Sequence, residues 1–181
     1  MLEQLRSWVY IVGMSKVASK HFGEIELNHG REHCYVASHE LAGTPLELDL
    51  NVGAHDHFDE RALHKVDYRL GYLPELVEQI RDMIADELAQ EGTNSQQFLH
   101  FHSTQLKEEQ LEAVFGVRDK DELTHDVFLK ALRLGHVAIY PGQPERYFVL
   151  DFTLGSHFTD EVLVAAADED GVVDDEILWE S

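Results

Sequence analysis

The sequence predicts an α+β fold: mostly antiparallel sheet built from an N-terminal three-strand meander and a C-terminal four-strand meander, with about four helices between them packed on one face. Three observations carry this expectation. Apolar residues recur at every second position over 22–52, take up helical spacing over 59–135, and return to every second position from His136 onward. Strands segregated from helices along a chain are the pattern of an α+β layer rather than of alternating β-α units.

In the first region, Ile25 and Leu27 alternate with Glu24, Glu26 and Asn28, and Leu46, Leu48, Leu50 and Val52 alternate with Glu47, Asp49 and Asn51. Each is the signature of a strand with one buried and one wet face. CYVASHEL at 34–41 reads as the strand between them, with Gly30 and the AGTP turn at 42–45 as punctuation. Next, Ala62, Leu63, Val66 and Leu70 form a helical stripe that starts near Asp59 and stops at Gly71, a residue suited to the left-handed position after a helix. Pro74 opens a second helix, where its missing N–H costs nothing, with Leu76, Val77, Ile80, Met83, Ile84 and Leu88 as its apolar stripe up to Gly92. GTNSQQ at 92–97 reads as a loop. Thr104 caps a third helix ending at Gly116, and Asp119 with Glu122 forms a capping box for a fourth, which presents Leu123, Val127, Phe128, Ala131 and Leu132. The four closing strands are His136–Tyr140, Tyr147–Leu154, Val162–Ala167 and Val172–Trp179. VLVAAA in the third of these suits a strand covered on both faces, and Asp170-Gly171 supplies a tight turn.

The charge is unevenly placed. The chain carries 35 acids against 14 bases, a net charge of −21. Residues 32–60 hold seven acids and residues 147–181 hold ten, with no Lys or Arg in either stretch. Such a field repels nucleic acid and anionic membrane and attracts basic partners. With 44% hydrophobic residues the chain has the material for a core, which argues against disorder. A length of 181 residues fits one domain, assigned to 21–181 after an N-terminal extension at 1–20. Residues 1–13 read either as a short helix with Leu2, Leu5 and Val9 on one face or as a start-site artefact before Met14; the run Trp8–Val12 is too short to cross a membrane. The lone cysteine, Cys34, has no partner for an internal disulfide, which suggests a reducing, cytoplasmic setting, and its apolar surroundings suggest a small buried residue.

HFGEIEL near the start, the long helix after Pro74, YFVLDFTLGSHFTDEVLVAAADEDG and the closing ILWES together resemble the DUF2004 group of bacterial proteins over residues 20–181. The resemblance implies a small acidic protein, with a protein-binding or immunity-like role, and transfers no catalytic residue.

Twelve histidines stand in the chain, and His55 with His57 and His100 with His102 have the i, i+2 spacing that places two rings on one side of a strand. HDHFDE at 55–60 resembles the His-x-His-x-Asp-His motif of metallo-β-lactamase-type zinc hydrolases, where imidazole and carboxylate ligands lower the pKa of a zinc-bound water to about 7. Glu60 stands where the last His belongs and the following glycines are missing; the plainer reading is a polar turn and cap for the helix near Asp59. DEDGVVDDE fails as a calcium loop, because Gly171 at the sixth position puts Ala166 first and Ile177 twelfth, where carboxylates are needed. No phosphate loop, dinucleotide fingerprint, Gly-x-Ser-x-Gly elbow or Cys-x-x-Cys pair is present.

The sequence therefore favours a non-enzymatic cytoplasmic protein that acts through its surface on a basic protein, not on nucleic acid or membrane. The expected contact is an acidic sheet face formed by Glu24, Glu26, Glu47, Asp49, Asp174 and Glu176, which fall on the polar phase of their strands. The alternative is a metal-binding protein or metal-dependent hydrolase with zinc at His55, His57, His100 and His102; no other cofactor is implied. A monomer and a homodimer fit equally.

Overall fold

The computed structural model describes residues 15–27 and 30–181, so both readings of residues 1–13 lie outside the described residues. The fold is α+β. Among the described residues there are five α-helices rather than about four, and the strands form two sheets.

The first sheet is a hairpin of β1 (Ser15–Ser19) and β2 (Gly23–Leu27). β1 falls where an extension was expected, since SKVAS carries too few apolar residues to show a period. The predicted three-strand meander therefore does not form: the hairpin stands apart, and Ser19 Oγ donates to Asp67 Oδ1 at 2.6 Å, pinning it to the helix that contains Asp67.

The second sheet has six strands in the order β3 (His33–Leu41), β4 (Thr44–Val52), β5 (Arg133–Ile139), β6 (Phe148–Thr153), β7 (Val162–Ala167) and β8 (Leu178–Glu180). Every neighbouring pair is antiparallel except β4 and β5, which run parallel. That exception follows from connectivity. A parallel neighbour needs a long crossover, and all five helices occupy it.

The crossover begins with α1 (Glu60–Leu70), capped by Asp59, whose Oδ1 accepts from Ala62 N at 2.9 Å. Gly71 has φ −65°, not the expected left-handed value. Glycine serves there because a Cβ would lie 3.0 Å from the Tyr68 carbonyl. α2 (Leu73–Leu88) follows, with Pro74 in its first turn. The segment 92–97 is no loop: Thr93 caps α3 (Asn94–Gln105), a helix hidden in sequence because Ser95, Phe98 and His102 are its only buried residues. Thr104 lies inside α3 rather than capping the next helix. α4 (Glu108–Phe115) ends at Gly116, which is left-handed at φ +71°. Asp119 caps only a 3-10 turn at Lys120–Glu122, and Thr124 caps α5 (His125–Ala131). No helix among the described residues is long and apolar enough to cross a membrane.

The sheet register explains the core. Ala37, Leu48, Val137, Leu150 and Ala165 form one cross-strand row, and Tyr35, Leu50, Ile139, Phe148 and Ala167 form the next. These residues, with Tyr35 and Ala37 of the edge strand only partly buried, pack in one core with Leu63, Ile80, Ile84, Phe98, Leu111 and Phe128 of the helices. Ala138, Val164 and Ala166, on the other phase, are buried yet stand outside that core. β7 is thus covered on both faces, as its unbroken apolar run suggests. The expected last strand, 172–179, is reduced to Leu178–Glu180 and a single bridge between Ala167 and Val173. The preceding acidic turn is instead held from α1, where Lys65 pairs with Glu169 and Arg69 Nη2 lies 2.6 Å from Asp170 Oδ1.

Candidate functional site

The outer phase of the six-stranded sheet carries a polar row through its middle: Ser38, Glu47, His136 and Asp151 are successive cross-strand neighbours, ending on Val164. Asp49 lies one step along β4 from Glu47 on the same face. A β-bulge in β5 makes this row. Leu134 pairs with Phe152 and His136 with Asp151, leaving Gly135 as the extra residue. Leu134 and Val137 both join the core, so without the inserted residue strict alternation would turn His136 inward. A Cβ on Gly135 would sit 2.9 Å from Thr153 Cγ2, so the bulge is fitted closely to β6.

His136 is held asymmetrically. Its Nδ1–H donates to Asp151 Oδ2 at 2.8 Å. Its Nε2 faces Asp49 Oδ2 at 3.3 Å, an ion-pair contact longer than the about 2.7–2.9 Å of a charge-assisted hydrogen bond. Asp49 Oδ1 is buried with no hydrogen-bond partner among the described residues. The His136 pKa is raised, chiefly by the Asp151 hydrogen bond, with burial opposing it and the charges of Asp151 and Asp49 adding to the rise. Glu47, exposed, completes the group: Glu47, Asp49 and His136 each offer a ligand atom, all within 4.8 Å of one another. Glu47, His136 and Asp151 also line a groove of about 630 Å³ that Arg133, Gly155 and His157 help enclose.

The outer positions of the strands are strongly biased. Glu40, Glu47, Asp49, Asp151 and Glu180 lie there against two basic side chains, His136 and the exposed Arg133, which opens β5 opposite Thr153 on the same face as Asp151. Cys34 is exposed rather than buried, because β3 is an edge strand and Cys34 falls on its outer phase. Desolvation, with Asp49 and Glu47 nearby, raises its pKa, so the thiol stays protonated and is a poor nucleophile.

The residues expected to form one acidic sheet face are divided. Glu47 and Asp49 lie on the outer face of the six-stranded sheet; Glu24 and Glu26 lie in the two-stranded hairpin, Glu24 beside Lys16 at 3.7 Å; Asp174 and Glu176 are exposed in the connection between β7 and β8. His136, Asp151, Glu40 and Glu180 were missed. The available signal was a lone histidine, His136, and a lone carboxylate, Asp151, inside the otherwise largely apolar segments HVAIY and FVLDFTL.

The four expected zinc ligands do not form a ligand group: among the described residues the one cluster of three or more is Glu47, Asp49 and His136. His55 and His57 lie in no strand and are exposed. His100 and His102 lie on α3, where residues two apart are about 200° apart around the axis. His100 is therefore exposed and His102 buried. Since the Phe98 carbonyl only accepts, His102 Nδ1–H donates to it at 2.9 Å, and Nε2 at 3.2 Å accepts from Thr159 Oγ1. Burial lowers the His102 pKa, with the Phe98 bond and Glu161 opposing. A depressed histidine contributes stability above its ordinary pKa of 6.5, and that contribution is lost as pH falls toward the folded value. Denaturation curves at about pH 7.5 and 5.5 are expected to show a stability loss on acidification that His102→Gln reduces; an equal loss in the variant would show that His102 plays no part.

Fold and site together define an α+β protein with a carboxylate–imidazole cluster on the outer face of a mixed six-stranded sheet. The chain matches no protein-family model, no curated protein and no solved structure.

Proposed function

We propose that the protein is an acidic binding domain that engages a basic protein segment through the outer face of its six-stranded sheet. The observation that carries this reading is the charge census of that face: five carboxylates against one imidazole and one guanidinium, that of Arg133 at the start of β5. Charge complementarity of this kind steers encounter and selects partners by sign, and salt weakens it. The groove beside His136 gives an extended basic segment a place to lie, and the exposed edge strand β3, with Val36 62% exposed, adds a backbone ladder and an apolar contact next to it.

The test is an NMR titration of the full chain with a model peptide of alternating Arg and Val, in chelator. The expected result is chemical-shift change concentrated on Glu47, Asp49, His136 and Asp151, lost at about 1 M salt, where the Debye length is about 3 Å, and weakened by Glu47→Gln. Shifts spread over the acidic ends of α4 and the 168–176 turn, or none at all, would overturn the reading.

A further inference from the structure

We infer that Glu47, Asp49 and His136 form a binding site for a single divalent transition-metal ion of the zinc class, with Asp151 holding the histidine ring in the ligating orientation. This goes beyond the binding of a basic segment, and it stands on side-chain geometry rather than on net charge.

Four observations converge. First, Asp151 fixes the tautomer. Nδ1–H is committed to Asp151 Oδ2 at 2.8 Å, so Nε2, on the opposite side of the ring, is the nitrogen left to bind a cation when its own proton is displaced. Ligating histidines in proteins are oriented in this way by a carboxylate or carbonyl on the far nitrogen. Second, the opposite side is where the other donors lie. Asp49 Oδ2 is 3.3 Å from Nε2, too long for a strong hydrogen bond. Two ligand atoms each about 2.0–2.1 Å from a tetrahedral zinc ion are about 3.3–3.4 Å apart, so this pair already spans one edge of such a tetrahedron. Third, Glu47 lies within 4.8 Å of both and is exposed, so a rotamer change on a free side chain brings in the third ligand without moving the backbone. Fourth, Asp49 Oδ1 is buried without a partner among the described residues, an uncompensated cost that a bound cation offsets.

The three donors come from adjacent, parallel strands, and Glu47 pairs with His136 directly across them. Ligands on neighbouring strands are held more firmly than ligands on loops. Three protein ligands leave a fourth position for water or for a donor group of a bound partner, and two of the three, Glu47 and His136, line the groove. One imidazole with two carboxylates suits zinc, with manganese as the hard-ligand competitor.

Calorimetric titration of the full chain with Zn²⁺, and separately Mn²⁺, tests the assignment, with circular dichroism checking that each variant folds. One equivalent of Zn²⁺ is expected to bind at about micromolar Kd or tighter; Asp151→Asn, which removes no ligand, should weaken it about 10–100-fold. Glu47→Gln, at an exposed position that the fold does not need, should weaken it at least about 10-fold, and His55→Ala with His57→Ala should leave it unchanged. Binding weaker than about 100 μM, or binding lost with the loop histidines but indifferent to Glu47→Gln, would leave only adventitious metal capture and overturn the inference. Since no peptide is present, the outcome is independent of the partner-binding reading.

Discussion

Phe98→Ala is expected to lower the free energy of unfolding by about 3–5 kcal/mol, measured by urea denaturation. Phe98 is fully buried and stands where α3 meets both α5 and the last strand: its ring lies 6.0 Å from Phe128, 5.9 Å from Trp179 and 4.2 Å from His102, centroid to centroid. Truncation leaves a cavity that neither the rigid sheet nor the α3 backbone collapses to fill. Against a typical domain stability of about 5–15 kcal/mol the loss is large. Gln97→Ala, one position away and exposed, is the control and should stay within about 0.5 kcal/mol. A loss below about 1 kcal/mol for Phe98→Ala would mean that 94–105 does not pack as a helix on this core.

Glu87→Ala is expected to cost about 2–3 kcal/mol, through polar rather than apolar loss. The Glu87 carboxylate, near the end of α2, accepts from Ser95 Oγ and from Ser95 N at 3.3 Å through Oε2, and from Ile177 N at 3.3 Å through Oε1. It therefore ties the start of α3 to the segment entering β8. Ser95 and Ile177 are fully buried, so removing the acceptor strands their donors away from water. A negative charge near a helix C-terminus is unfavourable by about 0.3–1 kcal/mol, a gain on substitution too small to reverse the sign. Hydrogen exchange should show faster exchange at Ile177 and across Leu178–Glu180, and Glu87→Gln, which keeps one acceptor, should recover part of the loss. Unchanged exchange in β8 would refute the tie.

Elements with strong local signals were legible in the sequence. The alternation of Leu46, Leu48, Leu50 and Val52 placed β4 to within a residue, and the stripe on either side of Ile80 placed α2. The Asp59 cap was readable because an Asn-, Asp-, Ser- or Thr-type cap acts on backbone N–H groups two or three residues away. α3 was not legible, because its buried face is a serine, a phenylalanine and a histidine, which a hydrophobic period does not register. Reading His100 and His102 as neighbours on a strand failed for the same reason, since the spacing that aligns two rings on a strand sets them on opposite sides of a helix. β1 and the shortened β8 were misplaced because such short strands are fixed by the element they dock on, not by their own composition.

The sequence by itself determined the charge, the α+β class, the inner phase of the long strands and the alternation that puts Glu47 and Asp49 on the wet side of β4. The tertiary structure alone decided what stands beside them. The crossover through five helices brings β5 parallel to β4, the bulge at Gly135 turns His136 outward, and β6 supplies Asp151 behind it. Residues 47, 136 and 151 become neighbours only through strand pairing. Alternation along a strand is a local steric property that a sequence displays, whereas strand order and register are settled by the long-range burial of apolar faces. The acidic face was thus foreseeable as a phase, while its cation-binding centre came from the pairing.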